Sequence, residues 1–486
     1  MPLVDGTEYF SQLDVLLRDL GVGDSVQVSG LDVDPMLDLT GLSQGEAGYA
    51  ALGQRLAAGA AAGAEIRMLL AGKIAARSVP VSSLGGFRES VRHADTFRAL
   101  RPGVEGPAPL ATCVLVDYSG PLLGSNHQKV VVVGRGGELT AFVCGIDLVQ
   151  DRFDGAPHDR LRLDDERWGW HDAAVRLRGP AAGRVHQILS RRWDEAASLP
   201  RRWFPRGHPA RVRRLNPAHP AGSPSPAASQ PSRSSPGTAV RVLRSVPAGK
   251  VDSVLPGRRG AWQHLPDTGI REIHATLVHA LSAARRYVYL EDQYLQEFLG
   301  GSSEFELYPH LRAAARRGAK VIMVGSGVRD PEDPGVYLRP INHDLNRDLK
   351  RKIVDRLAAE DEIDFAVHRV EHLTVHAKLI LIDDVFACIG SANMFSRSMG
   401  GTDSEVSTAV STTTTLVREL RVRLWAEHLR APLTPGLRVA LADLDLALGI
   451  WRSEWLPSHY PPFTWHRPGA PEGYTPAESV LRAVWP

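Results

Sequence analysis

Residues 125–134 read Ser125-Asn126-His127-Gln128-Lys129-Val130-Val131-Val132-Val133-Gly134. Residues 374–383 read Thr374-Val375-His376-Ala377-Lys378-Leu379-Ile380-Leu381-Ile382-Asp383. Each stretch sets His-x-Lys at the head of a four-residue aliphatic run. Such a run, with no polar alternation, predicts a strand buried on both faces. With 18 His and seven Lys in 486 residues, chance predicts about 0.26 such triplets in the whole chain. Two occur, about half the chain apart and in matching context, so the sequence carries an internal repeat.

Working outward, similar elements surround each run. The first half opens with an amphipathic helix over 8–20, carrying Tyr9, Phe10, Leu13, Leu16, Leu17 and Leu20. The second opens with one over 269–285, carrying Ile273, Leu277, Val278 and Leu281. A strand follows in each, Ser25–Ser29 and Tyr287–Leu290. Next come a helix and strand at 48–60 and Glu65–Leu70, matched by 306–317 and Lys320–Val324. Each half closes with an Arg-rich helix ending in Trp, Val185–Trp193 and Val417–Trp425. Strands alternating with helices predict the α/β class, as two similar α/β/α sandwich halves packed into one pseudo-twofold bilobal body.

Residues 216–239 are dense in Pro, Ser and Ala, cannot bury a core, and read as a linker or loop. The expected division is 1–215 for the first half, 216–239 for the linker and 240–450 for the second half. Residues 451–486 form an aromatic, Pro-rich C-terminal arm. Its Trp451, Trp455, Tyr460, Phe463 and Trp465 suit either packing over the body or contact with a membrane interface.

The 57 basic and 55 acidic residues leave a net charge of +2, which lacks the basic footprint of a sequence-independent nucleic-acid binder. Seven lysines stand against fifty arginines, so each lysine merits inspection. Cys113, Cys144 and Cys388 are too few and too scattered for a disulfide framework or a CxxC metal site. The N-terminus lacks the basic and apolar regions of a secretory signal, and no run of about 18 apolar residues occurs. The expectation is a soluble, cytoplasmic monomer with no cofactor and no metal.

Side chains at i and i+2 of a strand share a face, so His127 points with Lys129 and His376 with Lys378. If the halves meet about a pseudo-twofold axis, two imidazoles and two ammoniums converge on one pocket. That set suits a phosphodiester. One imidazole attacks phosphorus to form a phosphohistidine, and the other donates a proton to the leaving oxygen and later activates water or an alcohol. The lysines neutralise charge on the non-bridging oxygens, so the chemistry needs no metal. Matching turns follow each strand, Cys144-Gly145-Ile146-Asp147 and Gly390-Ser391-Ala392-Asn393. Asp147, Ser391 and Asn393 are candidates to bind phosphate or orient a catalytic group. Asp383 and Glu405 are candidates to fix an imidazole tautomer. Trp170-His171-Asp172 reads as a structural corner.

These residues resemble the phospholipase D superfamily, whose mark is a duplicated His-x-Lys-x4-Asp motif. His376 to Asp383 followed by Gly390-Ser391-Ala392-Asn393 matches that pattern in full. His127-Gln-Lys129 matches its core, with Gly134 where the family has Asp. The stretches Gly145-Ile146-Asp147-Leu148, Trp170-His171-Asp172, Gly179-Pro180-Ala181-Ala182, Arg241-Val-Leu-Arg244-Ser245 and Tyr289-Leu-Glu291-Asp292-Gln293-Tyr294 resemble the lipase branch, and the likeness spans most of 110–430. It implies a metal-independent phosphodiesterase or phosphatidyltransferase acting on phospholipid, with water or a small alcohol as acceptor. By position, His127 matches the nucleophile and His376 its acid/base partner. With a phospholipid substrate and no run of about 18 apolar residues, the expected contact with a membrane surface is peripheral. Two other readings stay open: a nuclease of the same superfamily, and a non-catalytic phospholipid-binding descendant in which Gly134 marks lost function. A cardiolipin-synthase role is less attractive, since the spanning segments expected of it are missing.

Overall fold

The computed structural model describes residues 1–72, 85–102, 106–117, 124–158, 169–198, 232–235, 237–247, 269–293, 304–326, 365–370, 373–394, 396–429 and 432–452. In the first half the strands are β1 (Pro2–Val4), β2 (Ser25–Gly30), β3 (Glu65–Ala71), β4 (Val114–Asp117), β5 (Val130–Arg135), β6 (Glu138–Cys144), β7 (Gly169–His171) and β8 (Ala173–Arg178). In the second they are β9 (Ser232–Ser235), β10 (Thr238–Val246), β11 (Ile270–Arg271), β12 (Tyr287–Glu291), β13 (Lys320–Ser326), β14 (Phe365–Val370), β15 (Leu373–Val375), β16 (Leu379–Ile382), β17 (Phe386–Gly390) and β18 (Glu405–Thr412).

The first sheet runs β1-β8-β6-β5-β2-β3-β4. The second runs β11-β10-β18-β17-β16-β12-β13-β14, with β9 beside β10. Six strands of each follow one path, β8-β6-β5-β2-β3-β4 matching β18-β17-β16-β12-β13-β14. Their senses match too. β2, β3 and β4 run parallel, as do β12, β13 and β14, and the remaining pairs on the path are antiparallel. The faint repeat in sequence is a duplication of topology.

The two aliphatic runs explain how the sheets are covered. Side chains alternate across a strand. Val130 and Val132 of β5 join Leu379 and Leu381 of β16 in one core shared by the halves. Val131 and Val133 turn the other way into a core of the first half, and Ile380 and Ile382 into one of the second. Both faces are buried, which is why neither run alternates with polar residues. The helices Gly179–Ser198 and Leu416–His428 line the seam, with Ala182, Val185 and Leu189 on one and Val417, Leu420 and Trp425 on the other. Trp425 is fully buried, and its truncation to Ala would cost about 3–5 kcal/mol.

Several element bounds differ from the sequence reading for local reasons. The first helix spans Asp5–Leu16 rather than 8–20, because Glu8 reaches back to the Val4 amide and satisfies a free donor at the helix start. The second begins at Leu52, because the Asp38 carboxylate gathers the amides of Thr40 and Ala50 into a loop. Residues 232–235 and 238–239, read as the end of the linker, pair as strands, whereas 216–231 lie outside the described residues. Helices at Pro435–Ala442 and Leu444–Arg452 were not read from sequence, and Trp455, Tyr460, Phe463 and Trp465 lie outside the described residues. All three cysteines are free and buried. Among the described residues no helix is long and apolar enough to cross a membrane.

Candidate active site

Neither His-x-Lys triplet lies in a strand of its own sheet; each sits just before β5 or β16. The reason is that each is tied to the opposite half. The His127 amide donates to the Ser404 carbonyl (3.1 Å) and the Ser404 amide to the Ser125 carbonyl (2.9 Å). Asp403 accepts from the Ser125 amide and hydroxyl at 2.8 and 2.9 Å. On the other side β15 runs parallel to β7, and the His376 amide donates to the His171 carbonyl (2.8 Å).

This stitching sets each imidazole against a carboxylate of the other half. His127 Nδ1 lies 3.0 and 3.1 Å from the Glu405 oxygens and 3.1 Å from the Ser391 carbonyl. Glu405 is fully buried and accepts from the Ser391 and Ser398 hydroxyls, each at 2.6 Å. His376 Nδ1 lies 2.7 Å from Asp172 Oδ2. Strand register makes the two carboxylates equivalent: Cys144 pairs with Ala174 and Gly390 with Ser407, so Asp172 and Glu405 hold the same place in the two halves. A proton on each Nδ1, facing its carboxylate, leaves Nε2 as a base. Gly145 allows this closeness, since a Cβ there would stand 2.3 Å from Asp172 Oδ1.

Lys129 and Lys378 are both buried. Lys129 Nζ lies 3.4 Å from Asp147, whose other oxygen accepts from the Asp32 amide at 3.1 Å. Lys378 donates to the His376 carbonyl. Asn393 holds in the second half the register position of Asp147, and its Oδ1 is buried with no hydrogen-bond partner among the described residues. The cations converge. Burial first, then the charges of Lys378, Arg152, Lys129 and His127, hold the His376 imidazole well below the usual histidine range. Burial pushes the Asp172 carboxyl up to about 6, against the opposing pull of Lys378. His127 keeps 15% of its side-chain surface exposed while His376 keeps 4%.

One candidate sits elsewhere. Asp383, expected to orient an imidazole, accepts the backbone amides of Arg285 (2.7 Å), Arg286 and Tyr287 (both 2.8 Å), and takes φ +53°. It closes the turn beyond β16 and does not reach either histidine. Gly134, at the matching distance from His127, still lies within β5, paired with Ser25. A carboxylate there would also lie away from the imidazoles, so its absence does not disorient His127.

Three contributors went unread. The sequence reads Asp172 as part of a corner, although its place before the last shared strand is the one Glu405 holds, and aligning the halves by strand brings it out. Ser398 had no signal beyond proximity to Glu405 in sequence. Arg152, stacked 3.3 Å over the Trp170 ring and close enough to act on His376 and Asp172, had none.

Residues 277–426 match the family described as "Cardiolipin synthase, PLD-like domain". The chain is 24% identical over 425 residues to phospholipase D alpha 3 of Arabidopsis thaliana, which covers 63% of this chain and 48% of that protein. It is 23% identical over 427 residues to phospholipase D alpha 1 of Vigna unguiculata, covering 65% and 50%. The crystal structure of phosphatidylserine synthase from Haemophilus influenzae Rd KW20 shares the fold, with TM-score 0.54 and 12% identity over 88% of this chain and 85% of that one. The chain is thus similar to members of the phospholipase D superfamily. It spans about half the length of the curated phospholipases D that it matches. The family match falls wholly in the second half, where it takes in His376 and Lys378 but not His127 and Lys129.

Proposed function

We propose that the chain is a phosphodiesterase of phospholipase D type, hydrolysing or transphosphatidylating phospholipid headgroups through a phosphohistidine. The observation that carries this reading is the pair of imidazoles at one seam, each held by a carboxylate of the opposite half. His127 Nε2 attacks phosphorus, the phosphorus–oxygen bond to the headgroup breaks, and His376, having taken up a solvent proton on Nε2 as the phosphate anion enters, gives that proton to the leaving oxygen. Water or an alcohol then returns a proton to His376, attacks phosphorus and breaks the phosphorus–nitrogen bond. Lys129 and Lys378 stabilise the non-bridging oxygens, with Asn393 as a further donor. In this scheme the chemical step draws on no metal.

A second assignment exchanges the imidazoles, and one observation favours it: His376 is held neutral by burial and surrounding cations, the state an attacking imidazole needs. The two are told apart by trapping. Phosphatidylcholine and phosphatidylethanolamine labelled at phosphorus are incubated without added metal, with and without ethanol, glycerol or phosphatidylglycerol, and quenched in denaturant. Label on residue 127, lost in His127→Asn, supports the first assignment; label on 376 supports the second. No product from any phospholipid, by folded protein, would remove the reading, and cleavage of plasmid DNA in the same panel would replace it with a nuclease.

A further inference from the structure

We propose that Asp5, His158, His171 and Glu427 form a binding site for one divalent transition-metal ion of the zinc class, which ties the N-terminal helix and β7 to the second half. The four residues offer two imidazole nitrogens and two carboxylate oxygens, all within 4.8 Å of one another. Their side chains are 6% exposed or less.

Orientation sets this cluster apart from a buried salt bridge. His158 directs Nδ1 to Asp154 at 2.9 Å, leaving Nε2 toward the cluster. His171 directs Nε2 to Glu291 at 2.7 Å, leaving Nδ1 toward the same space. Each candidate ligand thus has its far nitrogen fixed by an outer carboxylate, as metal-bound histidines do. Glu291 is itself held by His428 at 2.9 Å and by the Tyr289 hydroxyl at 2.5 Å.

The spacing fits four-coordination. His171 Nδ1 lies 2.5 Å from Glu427 Oε1 and 3.1 Å from Asp5 Oδ1. His158 Nε2 lies 3.2 Å from Glu427 Oε1 and 3.9 Å from Asp5 Oδ2. A tetrahedral ion with bonds of about 2.0–2.1 Å holds its ligands about 3.3 Å apart; the 3.1 and 3.2 Å approaches lie close to this, and the 2.5 Å His171–Glu427 approach would open to admit the ion. His171 Nδ1 and Asp5 Oδ2 are both buried, and the carboxylates of Asp5 and Glu427 crowd against that one ring nitrogen. Asp5 and His158 both adopt left-handed backbone, at φ +62° and +48°. Two carboxylates neutralise a dication, so the filled site buries no net charge from its ligands.

The site lies behind the candidate chemistry. The Asp5 amide donates to the Asp172 carbonyl at 2.8 Å, and Asp5 Oδ1 accepts the Asp172 amide at 3.1 Å. The ion would act as a structural clamp on the residue that orients His376, a role separate from phosphoryl transfer.

The test uses the full chain without an oligohistidine tag, stripped with chelator and dialysed to equilibrium against micromolar Zn²⁺ or Co²⁺. Elemental analysis is expected to return one ion per folded chain, with a four-coordinate visible spectrum for cobalt and a raised melting temperature on reloading. Asp154→Asn, outside the ligand set, is expected to weaken the ion about 10–100-fold, and Glu427→Gln at least as much, while His376→Ala keeps it. Should the ligand variants fail to fold, wild type alone decides. Folded wild type that takes up no ion and whose melting is indifferent to zinc would overturn the proposal, leaving a cluster satisfied by protons. So would one ion per chain that survives unchanged in folded Glu427→Gln and Asp154→Asn. None of these readouts depends on the phospholipase reading.

Discussion

Asp172 Oδ2 lies 2.7 Å from His376 Nδ1, although 204 residues separate the two along the chain. Its counterpart, Glu405 to His127, spans 278 residues in the opposite direction. A carboxylate in this place selects the imidazole tautomer and stabilises its cation, and its amide cannot do both. We therefore expect Asp172→Asn and Glu405→Gln each to lower kcat by about 10²–10⁴-fold with little change in KM. Steady-state kinetics on phosphatidylcholine checks this. A loss confined to KM would show that neither carboxylate serves the chemical step.

Gly145 leaves room for Asp172, and a methyl group there would stand 2.3 Å from the carboxylate. Gly145→Ala is expected to displace Asp172 and lower kcat at least tenfold, a loss of about 1.4 kcal/mol of transition-state stabilisation. Full activity in this variant would mean that the carboxylate can relocate freely.

Lys129 and Asp147 are both buried and 3.4 Å apart, whereas the matching position beside Lys378 is the neutral Asn393. Asp147→Asn leaves the Lys129 ammonium short of a counter-charge, a loss of up to about 3–5 kcal/mol. The prediction is a lower melting temperature in plain buffer, partly restored by millimolar inorganic phosphate. An equal deficit with and without phosphate would argue that Lys129 does not face the anion.

Asp383 and Gly134 give a pair of opposite expectations. Asp383→Ala removes the acceptor of three amides, and the melting temperature should fall by the equivalent of about 2–3 kcal/mol, with kcat of the folded fraction within threefold of wild type. Gly134→Asp should leave kcat unchanged, because its side chain would meet the Ser25 hydroxyl rather than an imidazole. A large gain of activity in Gly134→Asp would contradict the geometry described for the site.

A pH dependence follows from Asp38. Burial raises its proton affinity, but bonds from Thr40, Ala50 and Leu42 outweigh that and leave its carboxyl below the usual range. A group depressed in the folded state adds stability above its unfolded value of 3.8 and loses it as pH falls through the folded one. Asp38→Asn should therefore be less stable than wild type at pH 7, and the gap should close toward pH 3. Denaturant titrations across that range decide it, and a gap that widens in acid would have the wrong sign.

The repeat, the layer order and both His-Lys pairs were legible because aliphatic runs buried on two faces leave an unmistakable mark in sequence. The identity of the orienting carboxylates was only half legible. Glu405 stood near a motif, but Asp172 belongs to the other half, and contact across a pseudo-twofold seam leaves no spacing to read. Asp383 misled for a related reason: its fixed distance from His376 reflects strand length, since it closes the turn at the far end of β16. Arg152 acts through space from a loop, where periodicity carries no information.

Because each half lends its carboxylate to the other, neither half alone holds a complete imidazole–carboxylate pair. A truncated protein ending before residue 200 would keep His127 and its sheet, yet lack Glu405 to steady the ring. Splitting the gene at 199–231 and co-expressing the pieces should regenerate function only where they reassociate. Any chimaera joining one half to that of a distant relative inherits the same obligation.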